Sequence, residues 1–440
     1  MSKGTMPEGS SFLKTTMQGV VCFVLLVGIE APVTAAPDGP VWALVQRERP
    51  AVVETLRQLV AIESGSRDKE GLDRLAAFIG QRLSVLGSRV EYHEPSSSEI
   101  YRLYDTPDAV GKIVIGRFAG TGSRKIMLLA HMDTVYPQGT LASRPFRVQE
   151  NRAYGPGIAD DKGGIALILH TLSLLQEMGV HEFGTLTVVI NGDEEISSPA
   201  SRVLIQRLAG EHDVVLSCEP PLSKKDEITL ATSGIDVATL IVKGKAAHAG
   251  VNPEQGRNTI IELAHHLLQL SDLSDTERRI TFNWTLMNGG LVRNMIPDQA
   301  TATADVRVNR LADLDVIEQR YRERVAAQIP LIPDTKVEAR FEQRRPPLEA
   351  TGASRSVART AEAIYAEIGH KLSVDESGVG GGTDAAFAAA SGKHAVAESF
   401  GLIGLGFHSS EEEYVDLDSI EPRLYLLMRL IIETSRASIK

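Results

Sequence analysis

Aromatic residues supply only 5% of this 440-residue chain, cysteine occurs twice, and no stretch of lysine or arginine is long enough to make a basic stripe. Each scarcity excludes something. Two cysteines cannot build the disulfide framework of a small secreted scaffold. A formal net charge of -11 without a basic patch leaves no electrostatic footprint for nucleic acid. No apolar run reaches the ~20 residues that a helix needs to span a bilayer. What is present is 43% hydrophobic residues. That is too many for a disordered chain and, at this length, enough for two globular domains. The acidic surplus suits cation binding.

Residues 1–35 read as an export signal. Lys3 and Lys14 precede the apolar run Val20 to Val27, and Val33-Thr34-Ala35 offers a small-residue cleavage site after Ala35. This predicts a periplasmic or secreted protein, free of the membrane once processed. An uncleaved anchor is the competing reading, and the short apolar run argues against it. Cys22 lies inside the signal, so the mature chain keeps the single thiol of Cys218.

From about residue 40 to 230, strand-like apolar runs alternate with helical patterns, which predicts a largely parallel sheet with helices on both faces. Lys125 to Ala130, Leu186 to Ile190 and Val214 to Cys218 read as buried strands, and Ile165, Ile168, Leu169, Leu172 and Leu175 recur at helical spacing. Residues 232–345 change character, and their order of strands and two helices predicts an inserted α+β domain of the split βαβ type. The expected division is therefore signal 1–35, first domain 37–231, inserted domain 232–345, and first domain resumed over 346–440.

Open α/β sheets place their sites at the C-terminal ends of strands. Three predicted strands end in candidate ligands: His131 with Asp133, then Asp193-Glu194-Glu195, then Glu219. His408 follows the Gly-rich segment Leu402 to Phe407 as a fourth. Taken singly, a Glu pair is usually a solvated loop and a lone His a satisfied polar residue. Gathered at one sheet edge, carboxylates repel and lose solvation, at a cost of several kcal/mol that a cation removes. Between the first two strands, Tyr154 to Gly164 forms a Gly-rich turn that opens a helix and sets the carboxylate of Asp160 beside its N-terminus. A phosphate cradle competes for this turn and for Gly380-Gly381-Gly382-Thr383, but neither has Walker spacing. His93, His170, His181, His212, His265, His266, His370 and His394 have no accompanying ligand set, and the sequon Asn283-Trp284-Thr285 lies within a predicted strand.

With these motifs in order, the chain resembles the co-catalytic zinc exopeptidases, a family that includes glutamate carboxypeptidases, acetylornithine deacetylase and succinyl-diaminopimelate desuccinylase. It is most similar to the bacterial folate-cleaving glutamate carboxypeptidases, through His131 to Val135, Gly155 to Gly164, Asp193 to Glu195, Thr232-Ser233-Gly234, His248-Ala249-Gly250 and Gly380 to Ala385. The resemblance implies a mixed, mainly parallel catalytic sheet and a ferredoxin-like lid and dimerisation domain. It implies two Zn²⁺ per subunit, one held by His131, Asp160 and Glu219, the other by His408, Asp160 and Glu195, with a cis peptide after Asp160. Asp133 would orient His131, and Glu194 would be the general base. His248 would reach the partner subunit's site in a homodimer. Asn294 and Arg307 would hold the substrate's terminal carboxylate, and Gly382 and Thr383 would line the substrate site. An ordinary strand-end salt bridge is the competing reading of Arg307.

The activity implied is hydrolysis of the amide bond to a C-terminal amino acid in a small peptide or N-acyl conjugate. An N-acyl-amino-acid deacylase or dipeptidase is the alternative on the same metal pair, and a non-catalytic binding protein is a remoter one. One departure bears on the substrate. Glutamate-releasing relatives carry a basic residue just before the strand leading to Thr232, where this chain has Glu227, with Lys224 and Lys225 slightly earlier. Arg345 is left as a positive partner for an acidic side chain.

Overall fold

Ile126, Leu128 and Ala130 pack into one hydrophobic cluster, while Met127 and Leu129, between them, pack into another. A strand apolar at every position is thus buried on both faces, as the centre of an α/β sheet requires. The computed structural model describes residues 36–436 apart from 379, 391, 393, 394 and 410. The predicted signal with Cys22, and His394, lie outside the described residues.

The central sheet has six strands in the order Arg89–His93, Ile113–Ala119, Thr185–Asn191, Lys125–His131, Val214–Ser217 and Ala395–Ala397. The first two junctions are antiparallel and the remaining three parallel. On one face the helices Gly39–Val60, Lys162–Glu177 and Ile420–Arg436 pack on one another. Helix Lys162–Glu177 is buried around most of its circumference, which explains why its sequence is apolar on nearly every side. Leu204, Ile205 and Leu208 of helix Arg202–Gly210 cover the other face with Ala385 and Phe387. After residue 345 the chain continues into helix Gly352–Glu367. There Thr351 and Ser354 exchange side-chain and backbone bonds in a capping box.

Residues 234–345 contribute a second sheet, antiparallel, in the order Thr281–Gly289, Gln299–Val308, Gly234–Lys243 and Lys336–Arg345. Helices Thr259–Gln269 and Ala312–Ala326 pack on it, and Ala238, Leu240, Leu263, Val306, Ile317 and Tyr321 form its own core. Among the described residues no helix is long and apolar enough to cross a membrane.

Candidate metal centre

The parallel register sets the site. His131 lies opposite Asn191 and Leu129 opposite Ser217, so three chains leave the sheet side by side and their next few residues converge. Glu194 and Glu195 lie on a single 3₁₀ turn just beyond Asn191. The buried Asp193 braces that turn by accepting from Ala200 N at 2.6 Å and from Ser201 Oγ at 2.6 Å. Glu219 follows the third strand.

Asp160 lies between two imidazoles. Its Oδ1 is 2.9 Å from His131 Nε2 and its Oδ2 3.2 Å from His408 Nε2. Glu219 Oε1 stands 3.4 Å from His131 Nε2, and Glu195 Oε2 2.9 Å from His408 Nε2. His131 thus faces Asp160 and Glu219 while His408 faces Asp160 and Glu195, so Asp160 touches both imidazoles. The sets whose donor atoms all lie within 4.8 Å of one another are His131, Glu194 and Glu219, and Asp160, Glu195 and His408. The peptide bond between Asp160 and Asp161 is cis. Gly157 carries φ +70°, and a Cβ there would meet Thr134 Cγ2 at 2.3 Å, so this turn tolerates only glycine.

The electrostatics describe a site short of positive charge. Burial and the neighbouring Asp160 push the Glu195 carboxyl up to about 8. Burial disfavours a charged His131, but Glu219, Asp133 and Asp160 outweigh it and raise its pKa. Hydrogen bonds to Asp160 and Glu195 lift His408 to about 11. Burial opposes the charge of Asp160, but hydrogen bonds from His131 and His408 hold its carboxyl below the ordinary value, so the crowded acids are balanced by imidazoles that keep their protons, a balance that bound cations would supply instead. A nitrogen and oxygen donor set of three protein ligands per position suits Zn²⁺ with an open coordination site.

Three details add to the sequence reading. Asp161, not Asp160, caps the following helix, accepting from Gly164 N at 3.1 Å, because the carboxylate of Asp160 is turned to the two imidazoles. Asp133 stands at 3.3 Å from His131 Nδ1, but the backbone oxygen of Asp133 is closer, at 3.1 Å. Its carboxylate chiefly accepts from Glu194 N at 3.0 Å, Glu195 N at 3.1 Å and Ser66 Oγ at 2.8 Å, so one acid fixes both glutamates. Arg345 is buried and ion-paired with the carboxylate of Glu194, and also bonds Glu194 O at 2.8 Å and Gly382 O at 2.7 Å. It is therefore committed to the site's interior and not offered to an acidic substrate.

The remaining candidates stand outside the cluster. His248 is exposed, its Nδ1 accepting from Gly250 N at 3.2 Å. Asn294 is exposed as well. Arg307 is bonded to Asp305 at 2.9 Å, the strand salt bridge that competed with its substrate role. The Thr383 hydroxyl donates to the buried Glu398. Glu227 is half-buried, and its carboxylate accepts a long 3.4 Å bond from Ser223 Oγ. His170, among the histidines without ligands, is buried between Thr55 and Glu48. A cavity of about 520 Å³ opens beside Glu195, walled by Ser66, Arg67, Val135, Tyr136 and Ile196.

Residues 127–433 match the model of peptidase family M20/M25/M40. The chain is 42% identical to carboxypeptidase G2 of Pseudomonas sp. (strain RS-16), over 90% of this chain and 92% of that protein. It is 29% identical to a succinyl-diaminopimelate desuccinylase of Methylorubrum extorquens (strain PA1), over 78% and 90% of the two chains. Its fold is similar to that of an M20 family metallo-carboxypeptidase from Sulfolobus solfataricus, with a TM-score of 0.70 at 15% identity over 88% of this chain and 99% of that one. With the two His-carboxylate groups at the ends of its parallel strands, the chain is a metallopeptidase and belongs to peptidase family M20/M25/M40.

Proposed function

We propose that this protein is a carboxypeptidase that hydrolyses the amide bond to a C-terminal amino acid in small peptides or N-acyl conjugates, with two Zn²⁺ per subunit. The observation that carries the reading is Asp160, whose two oxygens face His131 on one side and His408 on the other. His131, Asp160 and Glu219 would hold one ion and His408, Asp160 and Glu195 the other. When bound, the ions supply Lewis-acid polarisation of the scissile carbonyl and acidify the attacking water.

The chain's own residues do the rest. Glu194 takes the proton of the attacking water and delivers it to the leaving amine. Its position is set by Asp133, which fixes its backbone, and by Arg345, which grips its carboxylate. Residues 232–345 serve as a lid and dimerisation domain, inserted between the two parts of the catalytic domain, 37–231 and 346–440. His248 of that lid enters the partner's site in a homodimer. Asn294 and Arg307 bind the substrate carboxylate once the lid closes, Arg307 trading Asp305 for it in a planar bidentate grip. Gly382 and Thr383 line the same site. Residues 1–35 export the chain to the periplasm or beyond.

A second reading rests on Glu227, a carboxylate where glutamate-releasing relatives carry a basic residue. It favours release of a neutral residue, as by a broader exopeptidase or N-acyl-amino-acid deacylase. Hydrolysis of N-acyl-glutamate, N-acyl-aspartate and N-acyl-alanine by the zinc-loaded protein, repeated after chelation, separates the readings. Chelator-sensitive cleavage is the expected result: preference for glutamate marks a glutamate carboxypeptidase despite Glu227, preference for alanine selects the second reading, and no cleavage of any conjugate refutes both.

A further inference from the structure

The loop that carries Asp160 and the loop that carries His408 are joined by a residue that belongs to neither ligand group. His408 lies in the hairpin whose short strands pair Gly404 with Val415 and Leu405 with Tyr414. The second of these strands also pairs with Arg152–Tyr154, which leads directly into the turn holding Asp160. Between His408 and that strand comes Glu413, only 3% exposed.

Its carboxylate closes on the Asp160 turn. Oε2 accepts from Gly157 N at 2.8 Å, and Oε1 accepts from Ala159 N at 2.7 Å and Asp160 N at 3.0 Å. The backbone oxygen of Glu413 adds a bond from Gly155 N at 3.3 Å. Several backbone N–H groups of one turn pointing at a common centre form an anion-binding nest, and here the anion is a side chain of the same protein. Both carboxylate oxygens are used. The neutral isostere would offer only one acceptor oxygen and set an amide donor against a backbone donor.

We propose that Glu413 is a positioning residue for the metal centre, setting the backbone of Asp160 so that its carboxylate reaches His131 and His408 at once. Bonding the N–H of Asp160 itself fixes the point from which that side chain extends. Lying five residues from His408 on the same hairpin, Glu413 also ties the loop of His408 to the turn of Asp160, the two ligand segments that do not follow strands of the central sheet. The inference rests on the assignment of Asp160 and His408 as ligands.

The test uses the full chain with Glu413→Gln, and Glu262→Gln as the comparison. Glu262 is another buried carboxylate that accepts backbone bonds, from Leu331 N at 3.3 Å and Ile332 N at 2.6 Å, within the second sheet's layer. Binding of Zn²⁺ and Co²⁺ is measured by competition with a chelator, the Co²⁺ absorption spectrum reports ligand geometry, and thermal midpoints are read in chelator. Partners that orient metal ligands typically contribute about 10–100-fold to affinity. Glu413→Gln is expected to weaken binding by that factor and to alter the Co²⁺ spectrum. Glu262→Gln is expected to lower the thermal midpoint with affinity and spectrum unchanged. Wild-type affinity and spectrum in Glu413→Gln, or equal loss of affinity in both variants, overturns the inference. A wild-type protein that binds neither ion overturns the ligand assignment itself.

Discussion

Replacing Arg345 with Met would remove the one cation buried against Glu194 while keeping the length of the side chain. Arg345 is 3% exposed. Its guanidinium pairs with the Glu194 carboxylate, bonds two backbone oxygens at 2.7 and 2.8 Å, and stands 3.8 Å from the Asp384 carboxylate. Arg345→Met therefore strands two buried acids, of which Asp384 is already pushed up to about 7 by burial. Breaking a buried ion pair from one side costs about 3–5 kcal/mol, most of it the price of the charge left behind. If that is the mechanism, Glu194→Gln should offset part of the loss, because an amide needs no counter-charge. The double variant would then be more stable than the sum of the single effects implies, by ~1–3 kcal/mol. Urea unfolding of the wild type, both single variants and the double variant completes the cycle. An Arg345→Met protein within about 1 kcal/mol of wild type, or strictly additive effects, would refute the view that this pair is a buried charge interaction.

Three further outcomes are expected. Glu194→Gln should lower kcat by about 10²–10⁴-fold while the protein retains both metal ions, and full activity with metal bound would remove Glu194 as the base. If His248 acts across the dimer, reassorting Glu194→Gln subunits with His248→Ala subunits should restore about a quarter of wild-type activity, since each mixed dimer assembles one intact site. No recovery in proven mixed dimers places His248 in its own subunit's site. Asp236, in strand Gly234–Lys243, is fully buried, and that burial pushes its carboxyl up to about 8. A raised folded-state value in an acid means a penalty that is absent below the unfolded value near 4 and complete above 8. Asp236→Asn should thus gain on the wild type by up to ~1.4 kcal/mol per pH unit across that window, read as thermal midpoints at pH 5 and pH 8. A gap that does not widen with pH counts against the assignment.

His131, Glu195 and Glu219 were legible because each stands at or just past the end of a strand whose apolar run is unmistakable, whereas Asp160 and His408 were reached through Gly-rich segments after the short strands Arg152–Tyr154 and Gly404–Leu405. Ile126 to Ala130 can only be a central strand, and a parallel neighbour at matched register brings whatever follows it to the same edge. Glu194 and Glu195 were expected to take two roles because adjacent residues on a turn diverge, and Glu194 does face His131 and Glu219 while Glu195 faces Asp160 and His408. The sequence set Asp160 beside the helix N-terminus but did not tell which of Asp160 and Asp161 caps it. Either acid can accept from a helix N-terminus, and the choice is made by His131 and His408, which lie elsewhere in the chain.

What sequence could not reveal are the contacts that pair an acid with a distant partner. Arg345 meets Glu194 across 151 residues, and Glu413 reaches the Asp160 turn across more than 250. No periodicity encodes such pairings, since an Arg at a strand end or a Glu in a run of three carries no mark of its partner until the fold closes. Both nevertheless act on the same few atoms as the ligands do. Asp133 fixes the backbone of Glu194 and Glu195, Arg345 holds the carboxylate of Glu194, and Glu413 fixes the backbone of Asp160. Two of these three supports work through backbone N–H groups, which every residue type there except proline supplies. The ligand side chains could then be retained while the site's geometry drifted, if the acids that grip their backbones were lost. Loss of metal affinity on mutating Glu413 would show that the centre is defined as much by these acids as by its ligands.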